Sequence, residues 1–138
     1  MKNSENVWPS EEELNNIGNS VDLAPYGVIS QYSAAIYSAY NKELVGIVTA
    51  RYNIKTNGDK TNFVYSLLIS QTKNDGAQVK IFEIEIQDDG WYPATVSLIK
   101  PAREELGIAE TEEQLRTFIE NGIKSDFVKA QIKSLLNK

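Results

Sequence analysis

From residue 44 to residue 99 apolar side chains recur at every second position, and three dipeptides, Asn57-Gly58, Asp75-Gly76 and Asp89-Gly90, cut the stretch into four. A period of two marks a strand with one buried face, and Asx-Gly is the strongest short signal for a tight hairpin. Three hairpins imply a four-stranded antiparallel meander with strands at about 44–56, 61–73, 78–87 and 91–99.

Helical spacing flanks the meander. Ser10 with Glu13 forms a capping box that predicts a short helix to about Asn16, and Val28, Tyr32, Ala35, Ile36 and Ala39 predict a second helix of about fifteen residues. Its tyrosines, Tyr26, Tyr32, Tyr37 and Tyr40, give an apolar body with a polar tip and suit the edge of a core. Trp8 is expected to pack on the first helix near Pro9. After Pro101, "AREELG" predicts a single turn. Thr111 and Gln114 then cap a helix carrying Leu115, Phe118 and Ile119, with Gly122 as its C-terminal cap. A last helix from about Ser125 carries Val128, Ile132, Leu135 and Leu136. The expected fold is therefore α+β: N-terminal helices, a four-stranded antiparallel β-meander and two C-terminal helices, in one domain of 138 residues. A chain of that length buries roughly two-thirds of its unfolded surface without help from a disulfide or a metal.

Register follows from requiring core-facing residues to oppose one another. A two-residue loop at Asn57-Gly58 sets Tyr52 against Phe63 and Ala50 against Tyr65. A similar loop at Asp75-Gly76 sets Ile69 against Phe82, Leu67 against Ile84 and Tyr65 against Ile86. At Asp89-Gly90 a two-residue loop would pair core with surface, whereas a three-residue loop, Asp88 to Gly90, opposes Ile86 to Tyr92 and Ile84 to Ala94. Asp88 and Asp89 then serve as turn formers.

The same alternation populates a second face. It should carry Val45, Ile47, Thr49 and Arg51, then Val64, Ser66, Leu68 and Ser70, then Val79, Ile81, Glu83 and Glu85, and finally Trp91, Thr95, Ser97 and Ile99. A single wet face would be uniformly polar. Here Ile47, Leu68, Ile81 and Ile99 form an apolar band, which calls for a cover: helices divided between the two faces, a second copy of the chain, or a different partner. With Trp91 beside them these four are the candidate protein interface. Arg51, Glu83, Glu85 and Thr95, at the polar end of the face, are the candidate ligand-binding residues. Two carboxylates two residues apart on a strand can act as acid and base or hold a cation, although a solvated strand face has the same pattern.

The chain contains neither cysteine nor histidine, which excludes thiol nucleophiles, disulfides, zinc centres built on those residues, and every triad with an imidazole base. Dinucleotide and phosphate-loop glycine patterns, the hydrolase serine elbow and the EF-hand loop are likewise missing, so no cofactor and no metal is expected. A net charge of −5 opposes nucleic acid as a partner. No run approaches the roughly 20 apolar residues of a membrane span, and the first residues lack a secretory apolar run, which points to the cytoplasm.

In size, acidity and α+β content the chain resembles small acidic bacterial proteins such as toxin-immunity proteins and secretion chaperones. That is a resemblance of composition and carries over no residue. It implies a non-catalytic module that binds another protein, a basic one by charge, in an immunity-like, inhibitory or chaperone-like way, or that forms a homodimer through the second face of its sheet. The other expectation is a small-ligand binder, or an enzyme that needs no imidazole, with a pocket between the sheet and the tyrosine-rich helix. Tyr32, Tyr52 and Tyr65, or Glu83 and Glu85 with Arg51, would line that pocket.

Overall fold

A computed structural model describes residues 8, 23–53, 62–87 and 91–137. The helix expected near Ser10 and the turns at Asn57-Gly58 and Asp88 to Gly90 lie outside the described residues. Helix α1 (Pro25–Ala39) leads into a sheet of β1 (Leu44–Asn53), β2 (Asn62–Gln71), β3 (Gln78–Gln87), β4 (Ala94–Leu98) and β5 (Glu104–Ala109), followed by α2 (Glu112–Ile123) and α3 (Asp126–Leu136). The strands lie in chain order, each antiparallel to the next. The class is the expected α+β, with a fifth strand where "AREELG" suggested a turn.

α1 begins with Pro25 in its first turn, where the missing N–H loses no helical bond. Its inner side chains Val28, Ile29, Tyr32 and Ile36 are fully buried over β1 and β2. Trp8 is fully buried as well, and its Nε1–H donates to the Tyr32 carbonyl at 2.9 Å. It belongs to the core beneath α1. Tyr40 is buried, like Tyr32, while Tyr26 and Tyr37 are exposed.

Helix α2 is capped by Thr111, whose Oγ1 accepts the Gln114 N–H. The Gln114 side chain in turn accepts the Glu110 N–H, one residue upstream of the bond a capping box would make. Gly122 does not end the helix. It lies inside α2, facing Phe82, and Ser125 makes the stop: its Oγ donates to the Gly122 carbonyl at 2.6 Å and accepts the Val128 N–H that opens α3.

The first ladder pairs Tyr52 with Phe63 and Ala50 with Tyr65, as alternation predicts. Up to Leu67 on β2 and along β4 the next two are displaced by two residues, so faces are kept there and partners change: Leu67 opposes Phe82, Tyr65 opposes Ile84, Ile84 opposes Val96 and Ile86 opposes Ala94. At the second hairpin the reason is a longer connection. Gln71 N–H donates to the Ala77 carbonyl, Gln71 Oε1 accepts the Ala77 N–H, and Gly76 N–H closes an inner turn onto Lys73 with Asp75 at φ 57°. At the third, Tyr92 is not paired with Ile86; its hydroxyl donates to the Leu23 carbonyl at 2.7 Å.

All three described helices pack on one face. Leu67, Ile69, Phe82, Ile84, Ile86, Ala94, Val96 and Leu98 form a continuous core with side chains from α1, α2 and α3. None of the described helices packs on the other face, so they are not divided between the two.

Candidate functional site

The open face is built of cross-strand rows that the ladders define. One row runs Arg51, Val64, Glu85, Thr95, Ile108 from β1 to β5, and the next runs Thr49, Ser66, Glu83, Ser97, Glu105. Beyond them Ile47 opposes Leu68, and Leu68 opposes Lys80. In the second row the small Ser66 and Ser97 flank Glu83 and longer side chains surround them, which leaves a cleft of about 480 Å³ lined by Arg51, Val64, Glu83, Glu85, Thr95, Ser97, Arg103 and Glu105.

Glu83 is the floor of that cleft and is 4% exposed. Three cations converge on it: Arg103 Nη1 lies 2.8 Å from Oε1, while Arg51 Nη2 and Lys80 Nζ lie 3.3 and 3.4 Å from Oε2. The Arg103 approach is close but misaligned for a hydrogen bond, so Oε1 has charge compensation without a directed donor. The cation side chains are 39–52% exposed, so the triad is half in water and half in protein. Glu85 beside it accepts from Asn62 Nδ2 at 2.6 Å. One buried carboxylate organises three cations, each with donors left over for something outside the chain.

Two β-bulges bring these charges together. The β2–β3 register shifts between Leu67 and Leu68, which leaves Ile81 unpaired between Lys80 and Phe82, and the β4–β5 register shifts between Val96 and Ser97, which leaves Leu106 unpaired. Strict alternation would put Ile81 and Leu106 on the open face and Lys80 and Glu105 towards the helices. Each bulge exchanges them. Ile81 is fully buried in the core, Leu106 packs against it, and Lys80 and Glu105 flank Glu83.

The candidate ligand-binding residues Arg51, Glu83, Glu85 and Thr95 thus share one cleft. Of the candidate interface, Ile47 and Leu68 are neighbours on the open face, but Ile81 belongs to the core, and the bulge that moved it also turns Val79 towards the helices. Ile99 follows β4, half-buried, its N–H donating to the Ile81 carbonyl. Trp91 is 49% exposed and precedes the first residue of β4 by three, so it stands outside the ladder that was expected to aim it. Sequence reasoning missed Lys80, Arg103 and Glu105. The alternation of Leu106 and Ile108 after Pro101 signals β5; the bulges have no local marker.

Tyr32 is fully buried and its hydroxyl donates to Glu120 at 2.7 Å; burial first, then the Glu120 carboxylate, hold its proton far above the ordinary tyrosine range. Arg116 lies over its ring and bridges Glu112 and Gln31. Tyr52 and Tyr65 lie on the helix side in a row with Phe63 and Tyr26, ring centroids 4.8–6.3 Å apart, on the face opposite Glu83 and Arg51.

Among the described residues no cluster of three or more acidic side chains is placed to hold a metal ion, and no helix is long and apolar enough to cross a membrane. No protein family, no curated protein and no solved structure matches the chain.

Proposed function

We propose that this protein is a non-catalytic binding module whose open sheet face holds another protein, in the manner of a bacterial immunity protein, inhibitor or chaperone in the cytoplasm. The observation that carries the reading is that every described helix packs on one face of the five-stranded sheet and none of them on the other. That face combines a small apolar step, Ile47 with Leu68, and a cleft of fixed charges, the mixture of apolar contact and oriented polar groups found at protein interfaces. A net charge of −5 favours a basic partner and speeds its encounter.

The second reading, a small polar ligand in the cleft, is favoured by the depth of Glu83 and by a volume within the usual range for ligand sites, roughly 300–1,000 Å³. Lysine substitutions separate the two. Ile47→Lys and Leu68→Lys should leave the protein folded and abolish capture of the partner from a host lysate, while Ile81→Lys should unfold it. Capture that survives both surface substitutions but is lost with Arg51→Ala and Arg103→Ala would move the function into the cleft, and capture indifferent to all four would remove the open face from consideration.

A further inference from the structure

The two edges of the sheet are unlike. β5 is guarded: it has six residues, a break in register, Glu104 and Glu105 at its start, and Pro101 and Arg103 just before it. β1 has ten residues, an unbroken register with β2, no proline, no lysine and a single charge, Arg51. Bulges, charges and proline are the devices by which sheets prevent their edges from pairing. β1 lacks nearly all of them, and among the described residues nothing pairs with its outer side.

The hydrogen bonds at its start show which backbone groups point outward. Thr72 N–H donates to the Glu43 carbonyl, in register with Leu44 opposite Gln71, so Glu43 and Thr72 form a bonded pair. Bonded and non-bonded pairs alternate along an antiparallel ladder. Val45, Ile47, Thr49 and Arg51 therefore bond towards β2. The N–H and C=O groups of Leu44, Gly46, Val48, Ala50 and Tyr52 face away from the sheet.

We propose that two copies of the chain pair antiparallel along β1, about a twofold axis at Val48, to form one ten-stranded sheet. In that register all five outward residues find outward partners: Leu44 opposes the partner's Tyr52, Gly46 the partner's Ala50, and Val48 the partner's Val48. On the open face Ile47 meets the partner's Thr49, and Arg51 meets the partner's Val45. No like charges are opposed. The two Arg51 side chains stand six residues apart along the strands, about 20 Å at ~3.3 Å per residue, beyond two Debye lengths in physiological salt. An isologous contact needs one patch that complements itself, and a strand with its only charge near one end is such a patch. The seam joins two open faces, with Ile47 and Leu68 of both copies at its centre. The inference is independent of what that face binds.

Sedimentation velocity on the full chain at about 1–100 µM in 0.15 M salt tests it, together with amide exchange. The expected result is a species of twice 15.5 kDa whose dissociation constant falls as salt rises, because each copy carries −5. Amides of Gly46, Val48 and Ala50 should be protected at dimer concentrations and exchange at least tenfold faster on dilution, while those of Ile47 and Thr49 stay protected by β2. Ala50→Pro removes one outward donor from an exposed position and should give a folded monomer; should that variant fail to fold, the concentration dependence of the wild-type edge amides decides alone. A monomer throughout, with unprotected edge amides, overturns the proposal. So does a dimer that survives Ala50→Pro, or edge protection that appears only when a different protein is added.

Discussion

Gly46→Ala tests how α1 is seated on the sheet. A Cβ at residue 46 would lie 2.5 Å from Ser33 Oγ, 2.6 Å from the Ser33 carbonyl oxygen and 2.9 Å from Ser33 Cα. The hydroxyl can rotate away, but the carbonyl belongs to the helix backbone and cannot. Carbon and oxygen approach to about 3.3 Å even in favourable contacts, so α1 must retreat from β1 by roughly 0.7 Å. A gap of that size forfeits a quarter to a half of the local dispersion attraction, here along the buried stripe of Val28, Ile29, Tyr32 and Ile36. Overpacking costs about 1–3 kcal/mol and a backbone clash belongs in the upper part of that range, while the stiffer unfolded chain returns about 0.5 kcal/mol. The expected loss is about 2 kcal/mol, or roughly 6–8 °C in Tm for a domain of this size. Urea unfolding followed by the emission of buried Trp8 reads it, with Gly27→Ala as control. A Cβ at Gly27 meets only Leu23, at 3.8 Å, and alanine there should stabilise the helix by up to about 1 kcal/mol. If Gly46→Ala matches Gly27→Ala in stability, the close seating of α1 is not what fixes glycine at that position.

Two further outcomes follow from buried groups. Burial pushes the Tyr40 hydroxyl up to about 12 and Tyr32 higher still, whereas an unfolded tyrosine ionises near 10, so stability should be level below about pH 10 and fall above it as the unfolded chain loses protons first. Tyr40 alone accounts for about 2–3 kcal/mol by pH 12; chemical denaturation between pH 9 and 12 should show the decline, and a shallower one for Tyr40→Phe. At the cleft, a double-mutant cycle of Glu83→Gln and Arg103→Gln should give a coupling of about 0.5–1 kcal/mol that shrinks in 0.5 M salt, because the Arg103 end of the pair is half in water. Zero coupling at low salt would mean that Arg103 is not held by Glu83.

The faces of the strands were legible in the sequence; their partners were less so. Faces depend on parity, and alternation states it for β1, for β2 and for β3 from Phe82 to Ile86, failing at Val79, Lys80 and Ile81 where a bulge intervenes. Partners depend on loop length. There the Asp75-Gly76 dipeptide misleads, because Asp75 takes the left-handed conformation while Gly76 is needed for room: a Cβ at that glycine would lie 2.7 Å from Gln71 Cβ. The Gln71 side chain, bonded both to Ala77 and to the Leu135 carbonyl, holds the longer connection, and no local pattern announces a bond across 64 residues. β5 was hidden by its own guarding, since "REELG" carries the charges and glycine that protect an edge and so resembles a turn.

The charged cleft was half legible for a related reason. Alternation placed Arg51, Glu83, Glu85 and Thr95 on one face, but it also placed Ile81 among them and Lys80 away from them. A bulge costs a ladder pair at its own position, and it persists where the side chains it re-aims gain more than the backbone loses. Both bulges here bury an aliphatic residue, Ile81 or Leu106, and release a charged one, Lys80 or Glu105, onto the open face. Fully burying Ile81 contributes about 1.5–3 kcal/mol, enough to sustain the first bulge, and the partly buried Leu106 contributes a smaller share of that at the second. The charges around Glu83 then follow from core packing. The helix side of the sheet and the cleft on its open side are thus built by the same two insertions, and neither can be altered without the other.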